Sequence, residues 1–282
     1  MNTTAHSMQG NETRRIVLTG GSSGIGQAIA RRLAGPSALI ANLDLLDGEV
    51  TRQLCAGPIH TIHTDLGQPD AIDLAFANVD TLFGGRAPDT LICCASLSRA
   101  TSFLDVHRDE LDLLLNVNIR GTFLACQQAA QRMHSERRGR IVIITSICAL
   151  QGWAKESVYC LTKAAQQSMV QALAVELAPF GILVNGIAPG LIEKTGDAMA
   201  KTRADPEIHR HDMERTSLGR FGTVEEVAEA VDYLTTVTWT TGQTLVLDGG
   251  FMATGLGYFG SQRELAVGRP DFSPRKGASN VE

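Results

Sequence analysis

The sequence predicts a doubly wound α/β fold, one parallel sheet with helices on both faces, in a single domain. Three observations carry this. Short apolar runs alternate with longer helical stretches along most of the chain. The runs are rich in Val, Ile and Leu without polar alternation, as expected for strands covered on both faces. A glycine-rich turn joins the first run to the first helix.

The apolar runs fall at 16–19, 38–43, 59–64, 90–95, 140–145, 183–187 and 244–247. Helical stretches lie near 25–34, 68–82, 108–137, 157–179 and 223–236, which implies right-handed crossovers between parallel strands. Residues 1–13 read as a flexible leader and 14–253 as the domain itself. Residues 254–282 read as an extension that is flexible beyond 267. Within the domain, 190–222 is long and polar where a short link would suffice, with glycines at 190, 196, 219 and 222. Such inserts act as lids that close over a bound ligand.

Composition narrows the function classes. The 282 residues are 44% hydrophobic and 20% charged, the mix of an ordinary globular chain. A net charge of −5 offers no basic surface for nucleic acid. No apolar run approaches the ~20 residues of a membrane span. The polar N-terminus lacks the apolar core of a signal peptide. Six cysteines, at 55, 93, 94, 126, 148 and 160, show neither CxxC pairs nor a His at ligand spacing. They read as thiols in a reducing compartment, with no metal. The expectation is a soluble cytoplasmic protein with no membrane or nucleic-acid partner.

Residues 19–26 read Thr-Gly-Gly-Ser-Ser-Gly-Ile-Gly between the first strand and the first helix. Glycines let the backbone turn tightly and approach a pyrophosphate, and the helix N-terminus offers free N–H groups. Asp44 ends the second strand, 18 residues past Gly26. A carboxylate there accepts hydrogen bonds from both adenosine ribose hydroxyls and repels a 2′-phosphate, which selects NAD over NADP. An ordinary turn aspartate is the alternative. Tyr159 and Lys163 are four residues apart at a helix start and share one face. A nearby cation lowers a tyrosine pKa from ~10 toward the working range of a general acid/base. Ser146 ends the fifth strand, where its hydroxyl can hold a substrate oxygen.

These pieces, in this order, resemble the short-chain dehydrogenase/reductase family over about residues 14–251. The matching segments are TGGSSGIG, Asp44, Asp65-Leu66, Asn118 in NVNIRGTF, Ser146, YCLTK, VNGIAPG at 184–190, LGRFG at 218–222 and LDGG at 247–250. The resemblance implies a Rossmann-like domain whose catalytic tetrad is Asn118, Ser146, Tyr159 and Lys163. Tyr159 would be the general acid/base, Ser146 would orient the substrate oxygen, and Lys163 would lower the tyrosine pKa and bind the nicotinamide ribose. Asn118 would hold a water relaying protons from Lys163; otherwise it is a helix amide bonding nearby backbone. Cofactor contacts would come from Gly20, Ser22, Ser23, Gly24, Ile25, Gly26, Asp44, Asp65, Leu66, Cys93, Tyr159, Lys163, Pro189 and Ile192. The implied activity is NAD-dependent oxidation of a secondary alcohol or polyol, or reduction of the matching carbonyl, in a homo-oligomer (tetramer or dimer). The rival readings are nucleotide-sugar epimerase or dehydratase chemistry, for which the chain is short, and a catalytically silent NAD-binding sensor or scaffold.

The chain departs from the family pattern in three places. Cys93-Cys94-Ala95-Ser96 replaces the usual Asn-Asn-Ala-Gly, which removes side-chain ties at the fourth strand. Lys194 stands where a threonine usually meets the carboxamide, with Thr195 one place late. The tail beyond Gly250 is also long. The adjacent Cys93 and Cys94 point to opposite faces of a strand and read as small buried hydrophobes. His209 and His211, in a stretch of mixed charge, read as solvated, and Trp153 reads either as pocket lining or as core.

Overall fold

Strands that are apolar on both faces need cover on both sides, and the chain supplies it by alternation. The computed structural model describes residues 13–193 and 206–253. In order these form β1 (Arg14–Thr19), α1 (Gly24–Leu33), β2 (Ala38–Asp44), α2 (Glu49–Leu54), β3 (Ile59–His63), α3 (Pro69–Leu82) and β4 (Thr90–Cys93). Then come α4 (Arg108–Leu114), α5 (Thr122–Glu136), β5 (Gly139–Ile144), α6 (Ser157–Leu177) and β6 (Ile182–Pro189). The last are α7 (Pro206–Arg215), α8 (Val224–Thr236) and β7 (Thr244–Leu247).

The seven strands form one sheet in the order β3-β2-β1-β4-β5-β6-β7. Every pairing is parallel, including β1 with β4, where Thr19 lies opposite Cys93. The two-residue period of a strand divides the core into two layers. Val17, Leu43, Leu91, Ile141 and Ile143 face α3, α5 and α6. Ile16, Leu18, Ile40, Ile92 and Val142 face α1 and α8. The expected doubly wound, single-domain α/β architecture is what the chain adopts.

Element limits differ from expectation where side chains intervene. The fourth strand stops at Cys93 because the next two amides, of Cys94 and Ala95, donate to Thr19 Oγ1 at 3.1 Å each. The expected single helix over 108–137 is three pieces: α4, a π-helical turn over Leu115–Gly121, and α5. That wider turn lets Asn118 reach another segment and brings Gly121 onto the Leu66 carbonyl, where a Cβ would come within 2.5 Å. The short helix α2, and α7 inside the expected lid, were not anticipated. The leader to residue 12, lid residues 194–205 with Lys194 and Thr195, and the extension from 254 lie outside the described residues. So do the side chains of His209 and His211.

Helix α8 carries a complete capping box. Thr223 Oγ1 accepts from the Glu226 amide at 3.2 Å, and the Glu226 carboxylate accepts from the Thr223 amide at 2.8 Å. The Arg220 guanidinium, with that amide, holds the Glu226 carboxyl at about 2, below its ordinary 4.5. A depressed folded value means this contribution is present above pH 4.5 and is lost as pH falls toward 2. We predict that Thr223→Ala lowers stability by about 1 kcal/mol. Urea unfolding at neutral pH should show a lower midpoint with an unchanged slope.

Candidate active site

The strand order reverses between β1 and β4, and the chain leaves a crevice there, beyond the carboxyl ends of the strands. It is a cleft of about 460 Å³. One side is the glycine loop after β1. Gly20 has φ +75° and sits so close to the β4 end that a Cβ would lie 2.7 Å from Ala95 Cα. A Cβ on Gly26 would run into the Gly20 carbonyl. Only glycine closes this turn and lets α1 begin directly at its rim. Ser23, the N-terminal cap of α1, makes no side-chain capping bond, and the first turn has no acidic residue. The helix therefore directs uncapped N–H groups and a positive dipole end toward the cleft, suited to a pyrophosphate.

Asp44, Asp65 and Leu66 line the next part of the cleft, from the ends of β2 and β3. Asp44 Oδ2 accepts from the Ser22 amide at 2.9 Å and Oδ1 from the Leu46 amide at 3.0 Å, which fixes the carboxylate at the rim. Lys163 is the single cation among the described residues that line the cleft. Pro189 and Ile192 close the far wall, where Ile192 bridges to Gly222.

Ser146, Tyr159 and Lys163 meet at the inner end. Ser146 follows β5, and its hydroxyl accepts from the Cys148 amide at 3.1 Å. Burial pushes the Tyr159 phenol well above its usual range, with the neighbouring Cys148 thiol acting the same way, while its hydrogen bond with Ser146 acts in the opposite direction. Burial is the largest of the causes that act on the phenol, which the resemblance expects Lys163 to bring down. The Lys163 ammonium lies 5.5 Å from the Tyr159 ring centroid. It donates to the Ile144 carbonyl and to Gln166 Oε1, both at 2.9 Å.

Asn118 is fully buried behind this group. Its side chain accepts from the Leu97 amide and donates to the Leu97 carbonyl, both at 2.8 Å, and donates to Thr162 Oγ1 at 3.1 Å. It thus ties the segment after β4 to α6, replacing ties that the Cys93-to-Ser96 sequence lacks. Its carbonyl accepts from Gln166 Nε2 at 2.7 Å.

Gly20, Ser23, Gly24, Ile25, Gly26, Asp44, Asp65, Leu66, Pro189 and Ile192 line the cleft as expected, with Ser146, Tyr159 and Lys163. Two expected cofactor contacts do not line it. Cys93 points into the layer of α3, α5 and α6, its sulfur 3.8 Å from that of Cys126, and that bonded thiol and burial raise its pKa well above the usual range. Ser22 turns its hydroxyl to Asn42 Nδ2 at 3.0 Å. Residues missed by the sequence reading include Thr64, Cys94 and Ser98, which line the cleft just beyond β3 and β4. Their strand-end positions were the available signal. Trp153 does not line it but stacks on Phe251 at 5.6 Å, with the Arg215 guanidinium 4.3 Å above that ring.

Comparison with known proteins agrees with this geometry. Residues 20–252 match the family model described as enoyl-(acyl carrier protein) reductase. The chain is 33% identical over 242 residues to a 3-oxoacyl-(acyl-carrier-protein) reductase of Aquifex aeolicus, covering 83% of this chain and 95% of that protein. It is 31% identical to the L-xylulose reductase of Mesocricetus auratus, covering 86% and 97%. A crystal structure of a candidate 2-deoxy-d-gluconate 3-dehydrogenase from Agrobacterium tumefaciens with bound NADP superposes with a TM-score of 0.77. That protein is 28% identical over 86% of this chain and 97% of its own. The chain belongs to the short-chain dehydrogenase/reductase family of oxidoreductases, whose members bind a nicotinamide nucleotide.

Proposed function

We propose that the protein transfers a hydride between NAD and a secondary alcohol or polyol, or the matching carbonyl. The observation that carries this is the meeting of Ser146, Tyr159 and Lys163 at the inner end of a glycine-rimmed cleft. The Gly20–Gly26 turn and the uncapped start of α1 fit a dinucleotide pyrophosphate, and Asp44 fits the adenosine ribose. When bound, the nicotinamide supplies or accepts the hydride. The protein's part is to orient the substrate oxygen through Ser146 and to hold or move its proton at Tyr159 Oη. Lys163 binds the nicotinamide ribose beside them. Because the phenol is held high, Tyr159 keeps its proton through neutral pH, which serves carbonyl reduction. Alcohol oxidation needs that proton removed, so the oxidative rate rises with pH. The L-xylulose reductase relative supports this substrate class.

Three predictions follow from this assignment of roles. Tyr159→Phe removes one hydroxyl and keeps the ring, so turnover should fall by about 10²–10⁴-fold while dinucleotide affinity stays within a few-fold. A variant keeping a tenth of the activity would overturn the role of Tyr159.

Asp44 should favour NAD over NADP by about tenfold or more in kcat/KM. A carboxylate facing a 2′-phosphate costs on the order of a few kcal/mol before screening. Asp44→Ala should move the ratio toward one, and equal use of both cofactors by the unmutated protein would sink the reading.

The outer faces of α5 and α6 leave Phe123, Leu161 and Val175 exposed, with Val175 at 78%. Those faces pair with a second copy, and light scattering at micromolar concentration should show a dimer or tetramer. A monomer would contradict it.

A further inference from the structure

The ammonium of Lys163 and the carbonyl of Asn118 are joined through one side chain that the function above does not use. Gln166 lies three residues beyond Lys163 and seven beyond Tyr159, so all three share one stripe of α6. Its amide is 1% exposed. Oε1 accepts from Lys163 Nζ at 2.9 Å, and Nε2 donates to the Asn118 carbonyl at 2.7 Å and to Thr122 Oγ1 at 3.0 Å. The orientation of the amide is settled by chemistry. An ammonium can only donate and a carbonyl can only accept, so the oxygen must face Lys163 and the nitrogen must face Asn118. Three of the amide's hydrogen-bonding positions are filled inside the protein.

The π-helical turn makes this possible. In a regular α-helix the Asn118 carbonyl would receive the amide four residues on, that of Thr122. Here the Thr122 amide donates to the Ile119 carbonyl, and the Asn118 carbonyl meets Gln166. The widened turn and the glutamine are thus two halves of one contact. The ammonium itself is 2% exposed, and such a charge persists only where neutral acceptors replace water.

We propose that Gln166 is a positioning residue: it clamps the Lys163 ammonium to the widened turn at Asn118, keeping it charged and aimed at the Tyr159 end of the cleft. The consequence for catalysis rests on the function proposed above; the clamp itself does not. Among the titratable groups that face Lys163 are Tyr159 on its own helix, with the ring centroid 5.5 Å away, and Cys93 from β4. What β5 and the π turn bring is neutral, the Ile144 carbonyl and, through Gln166, the Asn118 carbonyl.

The chain has five lysines, at 155, 163, 194, 201 and 276, so the clamp can be read directly. In protein labelled with 13C-lysine, the Cε resonance of Lys163, assigned by its loss in Lys163→Arg, reports its titration midpoint. Gln166→Met keeps the length and removes the acceptor. The midpoint should fall by about one pH unit or more, because the buried charge loses a partner. An unmoved midpoint overturns the proposal. Gln166→Glu differs by one atom and keeps the test available if the methionine variant fails to fold. A carboxylate beside the ammonium should raise the midpoint, and an unchanged or lowered one counts against the clamp. NAD affinity, followed by protein fluorescence, should fall about fivefold in Gln166→Met above the lowered midpoint and match wild type within twofold below it. A uniform loss at every pH would mean a merely structural role. If the unmutated protein binds neither NAD nor NADP, the functional reading fails while the lysine titration still decides the role of Gln166.

Discussion

Placing an ammonium inside a folded domain costs several kcal/mol unless acceptors replace its lost water, and most of the inner site is arranged around that requirement. Lys163 reaches the Ile144 carbonyl at the last residue of β5, one residue before the strand gives way to Thr145 and Ser146. It reaches Gln166 along its own helix, and Gln166 reaches the π turn. The same turn sends Asn118 to the segment after β4. A strand, two helices and a loop are thereby tied to a single charge. Their mutual positions set where Ser146 and Tyr159 meet. The site is held from behind by a polar network in which both Asn118 and Gln166 use donors and acceptors together, the condition under which buried polar groups rigidify a core.

Much of this was legible in the sequence, for identifiable reasons. Apolar runs without alternation located the central strands, because burial on both faces leaves that pattern, while the edge strands β3 and β7 are only partly covered. The Gly20–Gly26 turn, Asp44, Ser146 and the Tyr159–Lys163 pair were found because their roles depend on residue type at fixed places, the strand ends and the helix starts. Other features depend on pairing that a linear reading does not contain. The π turn has no local signature, since Asn118 leaves the regular helical pattern for partners 21 and 44 residues away. Cys93 matched a family position, but its side chain packs against Cys126 in the layer of α3, α5 and α6 and does not line the cleft. Gln166 did leave a signal, a large polar residue on the buried stripe of α6 between Lys163 and Val170, which becomes meaningful only beside its partners.

Electrostatics divides the cleft along its length. The outer end carries Asp44 and Asp65, the middle faces the uncapped α1 terminus, and the inner end holds Lys163. On the function proposed above, a dinucleotide laid along it would meet a carboxylate at a ribose, N–H groups at the phosphates and a cation at the second ribose. Thiols also stand near the inner end. Cys94 lines the cleft and Cys148 lies beside Ser146, its pKa pushed up to about 11 chiefly by burial. The Cys148 thiol stays neutral near neutral pH and adds no competing charge beside Tyr159.

The seam between β1 and β4 has a consequence for how the chain comes to be folded. Gly20 fits only against Ala95, and Thr19 waits for the amides of Cys94 and Ala95, so the two halves of the rim are some 75 residues apart in sequence. The loop made first during synthesis cannot take its final shape until the fourth strand has emerged and closed that long separation, a slow kind of contact to form. The dinucleotide site is therefore a late product of folding, absent from every partly built chain. A ligand that recognises only the finished rim draws the population toward the native state in proportion to its free concentration. A nucleotide bound at that rim therefore favours the folded state by mass action, whatever it does in turnover.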